Sequence, residues 1–572
     1  MEKAECKFTN KTSLQHVDWI DKLFTPEDFH FEEVLIAKTA ELFIKQDVSP
    51  KITAIEKHQY EATRKLFEKA GELGLLSIEV PEVYGGFDLN KKISGLVAER
   101  MGFGGSFSVS FNIHVGVGTL PYVYFGDEKQ KQEYLPKLAS GEWVGAYALT
   151  ESDAGSDALR PKTSAILNED EVAWVLNGEK QWITNAHLAD VFVVFAKTGE
   201  GMTAFIVERS FKGVSVGPEE EKMGIQGSST ATLILEDVVV PKQNVLGEIG
   251  KGHKVAMNIL NMARLKLAFS NIGTSKQALQ LALDYGKERK QFDNLLVNFT
   301  MIQEKLANMA VAIYGAESAA YRTAGELDDV IDSADNKEHM IKGISDFALE
   351  CALNKVNCSE ILGKIVDEAV QIHGGYGYMQ DYEVERLYRD ARISRIFEGT
   401  NEINRLTIAK ILLKRYSQDA FQGSFHMKCK RSERNHQYFK LSRHLVNISL
   451  KAISNSGINL ELEQEYMRLL ADMAKDIYVM ESALLRTEKA SKKNGIENEK
   501  MKLLMTDVLC EEGYRQVEES AIEFISAAEA DEQKRKTRIN EINNLDIPIY
   551  QNLLMKKREI AKYMINNPKS MK

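Results

Sequence analysis

The stretch "RIFEGTN", residues 395–401, sets one carboxylate, Glu398, between the apolar pair Ile396–Phe397 and the flexible Gly399–Thr400. A chain entering an apolar core usually leaves Glu out of it. Local sequence leaves two readings open. Glu398 is a solvated loop acid, with Gly399 permitting a turn and Thr400 or Asn401 capping the helix "EINRLTIAKILLKRY" that follows. Alternatively it is a general base, because a carboxylate in an apolar pocket has a raised pKa and takes protons more readily.

Other familiar motifs fail. "GFGG" at 102–105 and "GGYG" at 374–377 lack the third glycine and the strand–helix setting of a dinucleotide fingerprint. There is no Gly-Lys-Ser/Thr phosphate loop and no HExxH. "GVSVG" at 213–217 fits the nucleophile-elbow pattern, but "PEEEK" follows where a helix should begin. Cys351 and Cys358 lie on an apparent helix without metal-ligand spacing or nearby histidines, so no metal is expected.

The elements that must position Glu398 show in the texture of the chain. Eight of the ten prolines fall at or before Pro241, and the next is Pro548. The long proline-free stretch predicts long helices, since an internal proline costs about 3 kcal/mol. Ile302, Leu306, Met309 and Ile313 make one apolar helical face, and Met473, Ile477, Met480 and Leu484 repeat the spacing. Between about 147 and 245, "EVAWVLNGEKQWITNA", "DVFVVFAKT", "MTAFIVERS" and "ATLILEDVVVP" read as antiparallel strands. Residues 30–145 look helical, interrupted by "PEVYGG" at 81–86.

The expected class is α+β. It comprises an N-terminal segment (1–29), a helical N-terminal domain (30–146), an antiparallel β middle domain (147–258) and a helical-bundle C-terminal domain (259–416). A basic linker (417–440) and an additional helical domain (441–572) follow. At 572 residues several structural units are expected. A net charge of −10 with no long basic stripe argues against nucleic acid as the main partner. The five scattered cysteines (Cys6, Cys351, Cys358, Cys429, Cys510) suit a reducing cytoplasm, and the acid-containing N-terminus has neither an apolar core nor transit-peptide character. No run of 18 apolar residues suggests a membrane span.

Four stretches carry a resemblance: "AYALTESDAGSD" (146–157), "LNGEKQWITNA" (176–186), "YGKERKQFD" (285–293) and "QIHGGYGYMQDYEVERLYRDARISRIFEGTNEI" (371–403). In order and spacing they resemble the signatures of the acyl-CoA dehydrogenase family, over about 30–416. "IQEKLA", "MGIQGSSTA" and the helical extension look most like the very-long-chain branch. The resemblance implies removal of an α-proton from an acyl-CoA thioester by Glu398 and transfer of the β-hydrogen as hydride to FAD, as in fatty acid β-oxidation. Relatives that carry the base on an earlier helix have it just before an arginine. Here Ala263 precedes Arg264, so that position holds no acid.

The same resemblance implies that Thr150 and Thr184 contact the flavin, Trp182 packs against it, Leu149 contributes its backbone and Ser156 lies near substrate and cofactor. Arg289, Gln291 and Phe292 are implied to reach the FAD of a neighbouring subunit, with Gln371, Gly374 and Gly375 on its adenosine side. Thr400 and Glu402 are implied near the cofactor, Phe397 beside the substrate, and Arg264 at the CoA. Ser152, Asp153, Asp293, Thr300 and His373 depart from the usual pattern.

Electron-transfer flavoprotein is the expected electron acceptor; an acyl-CoA oxidase and a non-catalytic assembly relative are the alternatives. "SVSFNIHVGVGTLP" (108–121) contains no acid and suggests a deep apolar acyl tunnel. The stripe Tyr466, Leu470, Met473, Ile477 and Met480 must be buried. Docking within one chain predicts a homodimer. Lys428, Lys430, Arg431, Arg434, Lys440 and Arg443 face a single acid, Glu433, and mark a solvated linker or a peripheral contact with anionic lipid at the inner face of the membrane.

Overall fold

The computed structural model describes residues 20–416, 433–454 and 457–567. Cys6, Cys429, Lys428, Lys430 and Arg431 therefore lie outside the described residues. The element order is helical, β, helical, helical, as the texture of the sequence predicts.

The first unit is built from the helices Phe31–Phe43, Tyr60–Glu72, Lys91–Met101, Ser106–Ile113 and Glu128–Ser140. "PEVYGG" forms a single 3-10 turn, Glu82–Tyr84, closed by Gly85 at φ 86°. The sheet that follows contains β1 (Gly145–Ala148), β2 (Ser164–Leu167), β3 (Ala173–Thr184), β4 (Val191–Thr198), β5 (Gly201–Glu208), β6 (Val214–Glu219), β7 (Thr230–Pro241) and β8 (Val245–Leu246). Their order is β6-β7-β3-β2-β4-β5-β8, with β1 beside β4. "GVSVG" falls largely in β6 and opens no helix.

Most pairs are antiparallel, but β1 runs parallel to β4 and β2 meets β4 in parallel at Ser164–Lys197. Strand texture does not distinguish these cases, because direction depends on how the chain returns rather than on the residues within a strand. β4 and β5 are buried almost end to end, which removes the alternation expected of a half-solvated strand.

Long helices then dominate: Gly252–Glu288, Thr300–Asp332, Ala348–His373 and Asn401–Tyr416. Leu306, Met309 and Ile313 are buried, and Ile302 packs against the same core. The Gly252–Glu288 helix starts within the stretch assigned to the β domain from sequence. Likewise the Glu433–Ser454 helix starts within the expected linker, so Arg434, Lys440 and Arg443 stand on a helix. Asn435, Tyr438, Phe439, Ser442, Leu445 and Val446 are its buried face. That face is partly polar, and it looked like scattered linker residues for that reason.

The extension also contains Gln464–Asn494, Lys500–Ala528, Glu532–Asn543 and Leu553–Asn566. Tyr466, Leu470, Met473 and Met480 are buried in one core with Leu349, Leu353, Val356, Ile408 and Leu412, and Ile477 packs against it. The stripe is thus covered by its own chain. Polar contacts sharpen the seam. Arg322 Nη1 donates to Glu481 Oε2 at 2.8 Å, and Tyr314 and Thr487 share a hydrogen bond of 2.7 Å. Arg486, 6% exposed, bridges Glu317 (2.6 Å) and Glu27 (2.8 Å). Lys276 and Arg486 together hold the Glu317 carboxyl down at about 2 against the burial that would raise it.

Arg486→Met leaves two largely buried carboxylates sharing fewer cations, and breaking such a pair costs about 3–5 kcal/mol. The variant is expected to lose stability of that order in chemical denaturation at pH 7. A loss under about 1 kcal/mol would mean that apolar packing alone holds the extension.

Candidate active site

The short turn Arg392–Arg395 feeds directly into the loop bearing Glu398. Phe397 N donates to Ile393 O at 3.1 Å, which turns the chain back. Glu398 then adopts φ 56°, a left-handed conformation rarely taken by a side-chain-bearing residue. Gly399 follows at φ 81°, which explains the glycine. Thr400 caps the next helix by accepting from Ile403 N at 3.2 Å. The capping half of the solvated-loop reading is therefore real, but it belongs to Thr400.

Side chains from two other helices hold the loop. Arg264 Nε donates to the Glu398 carbonyl at 3.1 Å. Lys355 Nζ donates to Gly399 O at 2.8 Å and to Asn401 Oδ1 at 2.7 Å. Asn404 Nδ2 donates to Gly399 O and Thr400 O at 2.8 and 3.0 Å. Glu398 as a residue is half-buried, yet its Oε2 is buried and has no hydrogen-bond partner. Burial raises the carboxyl pKa, the charges of Arg264 and Lys355 pull it back, and the balance lies above the ordinary value. Tyr147 in β1 has a buried, unpaired hydroxyl and also feels the Glu398 charge.

Arg264, assigned to CoA from the resemblance, is only 3% exposed and is spent on Glu398 and on Asn261 Oδ1 at 3.1 Å. In this geometry it positions the loop. Phe397 is half-buried and lines a cavity with Leu267 and Val109.

A second group forms on the β domain. Lys180, fully buried, donates to Glu151 Oε1 at 2.6 Å and to Leu149 O at 3.3 Å. Thr163 N donates to the same carboxylate at 3.1 Å. Gln181 N donates to Thr150 O at 2.9 Å. Leu149 and Thr150 are thereby clamped beside β3. A register shift between Lys180 and Ile183 leaves Trp182 at φ 57° and 57% exposed, next to half-buried Thr184. A tryptophan held out of its own core offers an aromatic wall to another molecule. Ser156 stands exposed on the loop between β1 and β2.

The third group is the hairpin Lys290–Gln291 with Asn294–Leu295. Arg289 and Gln291 are exposed, and Phe292 is 91% exposed at φ 53°. The Arg289 guanidinium lies 5.6 Å from the Tyr376 ring centre, which brings the hairpin to Gly374 and Gly375. A Cβ at either glycine would meet nothing within 4 Å, so these glycines serve no packing inside the chain. Gln371 and Glu402 are exposed and Thr400 half-buried. His373 is buried and stacks on Tyr285 with ring centres 4.3 Å apart, so it replaces an apolar neighbour with an aromatic one.

Sequence reasoning missed Lys355, Tyr147, Lys180 and Glu151. Lys355 lies inside a helix 43 residues before Glu398, and no local spacing reveals which loop it will meet.

Models of the acyl-CoA dehydrogenase N-terminal, middle and C-terminal domains match residues 31–142, 146–238 and 250–413, and a second C-terminal model of that family matches 442–540. The chain is 47% identical over 568 residues to a probable acyl-CoA dehydrogenase of Bacillus subtilis (strain 168), covering 95% of each. It is 38% identical over 413 residues to the mitochondrial very long-chain specific acyl-CoA dehydrogenase of Mus musculus, covering 70% of this chain and 60% of that one. The fold matches the crystal structure of an acyl-CoA dehydrogenase complexed with FAD from Bacillus anthracis with a TM-score of 0.92 and 45% identity, over 96% and 97% of the two chains. The chain belongs to the acyl-CoA dehydrogenase family of FAD-dependent oxidoreductases.

Replacing Glu398 tests its expected role as the base directly. Glu398→Gln should retain flavin while anaerobic bleaching by acyl-CoA slows by roughly 10²–10⁴-fold, the usual worth of a general base. In the wild type the bleaching rate should fall on acidification, with a midpoint above the ordinary glutamate range, because the protonated acid accepts no further proton. A variant bleaching at near-normal rate would place the base elsewhere.

Proposed function

We propose that this chain oxidises an acyl-CoA thioester to the trans-2-enoyl-CoA, with Glu398 as the base. The observation that carries this reading is the buried, unpartnered Glu398 Oε2 on a strained and fully braced loop. The α C–H bond breaks, its proton passes to Oε2, and the electron pair enters the new Cα=Cβ bond. FAD, when bound, supplies the acceptor for the β-hydrogen leaving as hydride. Arg264 and Lys355 keep the carboxylate ionised and aimed, and the wall of Phe397 and Leu267 keeps water from the acyl group.

The residues fit the cofactor. Leu149, Thr150 and Thr184 would meet the polar edge of the flavin, with Trp182 against a face and Ser156, Thr400 and Glu402 nearby. The exposed hairpin supports a shared site, in which Arg289, Gln291, Phe292, Gln371, Gly374 and Gly375 serve the FAD of a second copy. Coverage of the extension stripe within one chain supports a homodimer, since that surface is closed to further pairing. Among the described residues no helix is long and apolar enough to cross a membrane. A cytoplasmic enzyme of β-oxidation that hands electrons to electron-transfer flavoprotein fits these features, with long acyl chains preferred.

Arg289→Ala tests the shared site. It should lose FAD and, with the lost ligand, melting temperature. Full occupancy with unchanged melting would refute it.

Chain length and acceptor are tested together by turnover on a series of acyl-CoA thioesters. Chains of about twelve carbons or more should exceed butyryl-CoA in kcat/KM, and the reduced flavin should reoxidise faster with electron-transfer flavoprotein than in air. The reverse length order would overturn the long-chain preference. Fast reoxidation in air would make the protein an oxidase.

A further inference from the structure

The cavity beside Phe397 has a volume of about 50 Å³, room for more than one water-sized group. Val109, Leu267 and Phe397 give it the apolar wall that an alkyl chain requires. Its remaining wall is unlike the apolar tunnel suggested by residues 108–121. Ser108 Oγ and Ser270 Oγ lie 3.2 Å apart, and Ser394 Oγ donates to Asn271 Oδ1 at 3.1 Å.

Two residues of this wall each carry an unpaired buried polar atom. Asn271 is 3% exposed, and its Nδ2 is buried without a partner. Asp390 binds the backbone N–H of Ile225 through Oδ1, while its Oδ2 is buried and unpartnered. An orphaned buried donor or acceptor costs about 1–3 kcal/mol. A wall of methyl groups would avoid both penalties, and an acyl tunnel for plain hydrocarbon has no use for them. A hydroxyl meets both needs, because it donates one hydrogen bond and accepts another.

We propose that this cavity binds a hydroxyl group carried on the acyl chain, which accepts from Asn271 Nδ2 and donates to Asp390 Oδ2. The preferred substrates are then hydroxylated acyl-CoA thioesters. Ser394 stands four residues before Glu398, so the hydroxyl pocket lies within roughly 14 Å of backbone from the base. Phe397, adjacent to Glu398, lines the same cavity, so the acyl length at which a hydroxyl reaches it sets the position of the substituent. This inference rests on the dehydrogenase reading and narrows its substrate class.

The test uses the FAD-loaded enzyme and graded ω-hydroxyacyl-CoA thioesters, each paired with its methyl-terminated counterpart. At the length that reaches the cavity, kcat/KM should favour the hydroxylated member by roughly tenfold or more, the worth of satisfying one buried orphan. Asn271→Leu should abolish or invert that ratio, and Ser394→Ala, a milder change that frees the Asn271 amide, should reduce it. Turnover of the methyl-terminated thioesters in the same preparations reports on the dehydrogenase itself, so failure of the underlying reading shows as loss of both activities. A methyl preference at every length, or an unchanged ratio in both variants, means the cavity holds only water and overturns the proposal.

Discussion

The left-handed backbone at Glu398 is the constraint on which the site depends. Such a conformation costs on the order of 1–3 kcal/mol and persists only where the surroundings over-determine it. Here they do so with donors aimed at successive carbonyls: Arg264 at residue 398, Lys355 at 399, and Asn404 at 399 and 400. The donors come from three helices, so the loop cannot relax unless the Gly252–Glu288, Ala348–His373 and Asn401–Tyr416 helices part. The long helices are thus an instrument for holding one carboxylate where its backbone would not settle.

The bracing extends beyond the loop into the extension. Asn401 Nδ2 donates to Ser359 Oγ and Glu360 Oε1, at 3.0 and 3.2 Å. Glu360 pairs with Arg405 at 2.6 Å, and Arg405 with Asp472 at 2.7 Å. Asp472 lies on the Gln464–Asn494 helix, so a hydrogen bond and two ion pairs link the start of the helix after Glu398 to a unit far along the chain. The same helix buries its apolar stripe on Leu353, Val356, Ile408 and Leu412. Apolar area supplies most of the attachment, and the charged relay fixes its register.

Much of this was legible where one residue type has one local meaning. The absence of proline marked the long helices and β-branched runs marked the strands, while the local residues around Glu398 left a solvated acid and a base both readable. Long-range partnerships were not legible. Nothing in "LNGEKQWITNA" singles out Lys180, which is fully buried against Glu151. Arg264, implied at the CoA by the resemblance, is buried and braces the Glu398 carbonyl. Arg434, Lys440 and Arg443 read as a linker because the helix beneath them buries Asn435 and Ser442 beside its aromatic residues. Burial of Lys180, Arg264 and Asn435 depends on Glu151, the Glu398 carbonyl and Asp507, partners far away in sequence that no local window contains.

The two cations near Glu398 are not equivalent, and the difference fits the chemistry. Arg264 stays charged at every accessible pH. Burial pushes Lys355 down to about 7, against the pull of Glu398, so its charge is conditional. Below that pH both cations favour the carboxylate form, against the burial that raises the Glu398 pKa. Above it Lys355 turns neutral, and Arg264 alone still favours the carboxylate form. A neutral amine still carries two N–H bonds, enough to serve both Gly399 O and Asn401 Oδ1. Loop geometry is therefore independent of the charge on Lys355, while the basicity of Glu398 rises slightly as that charge is lost.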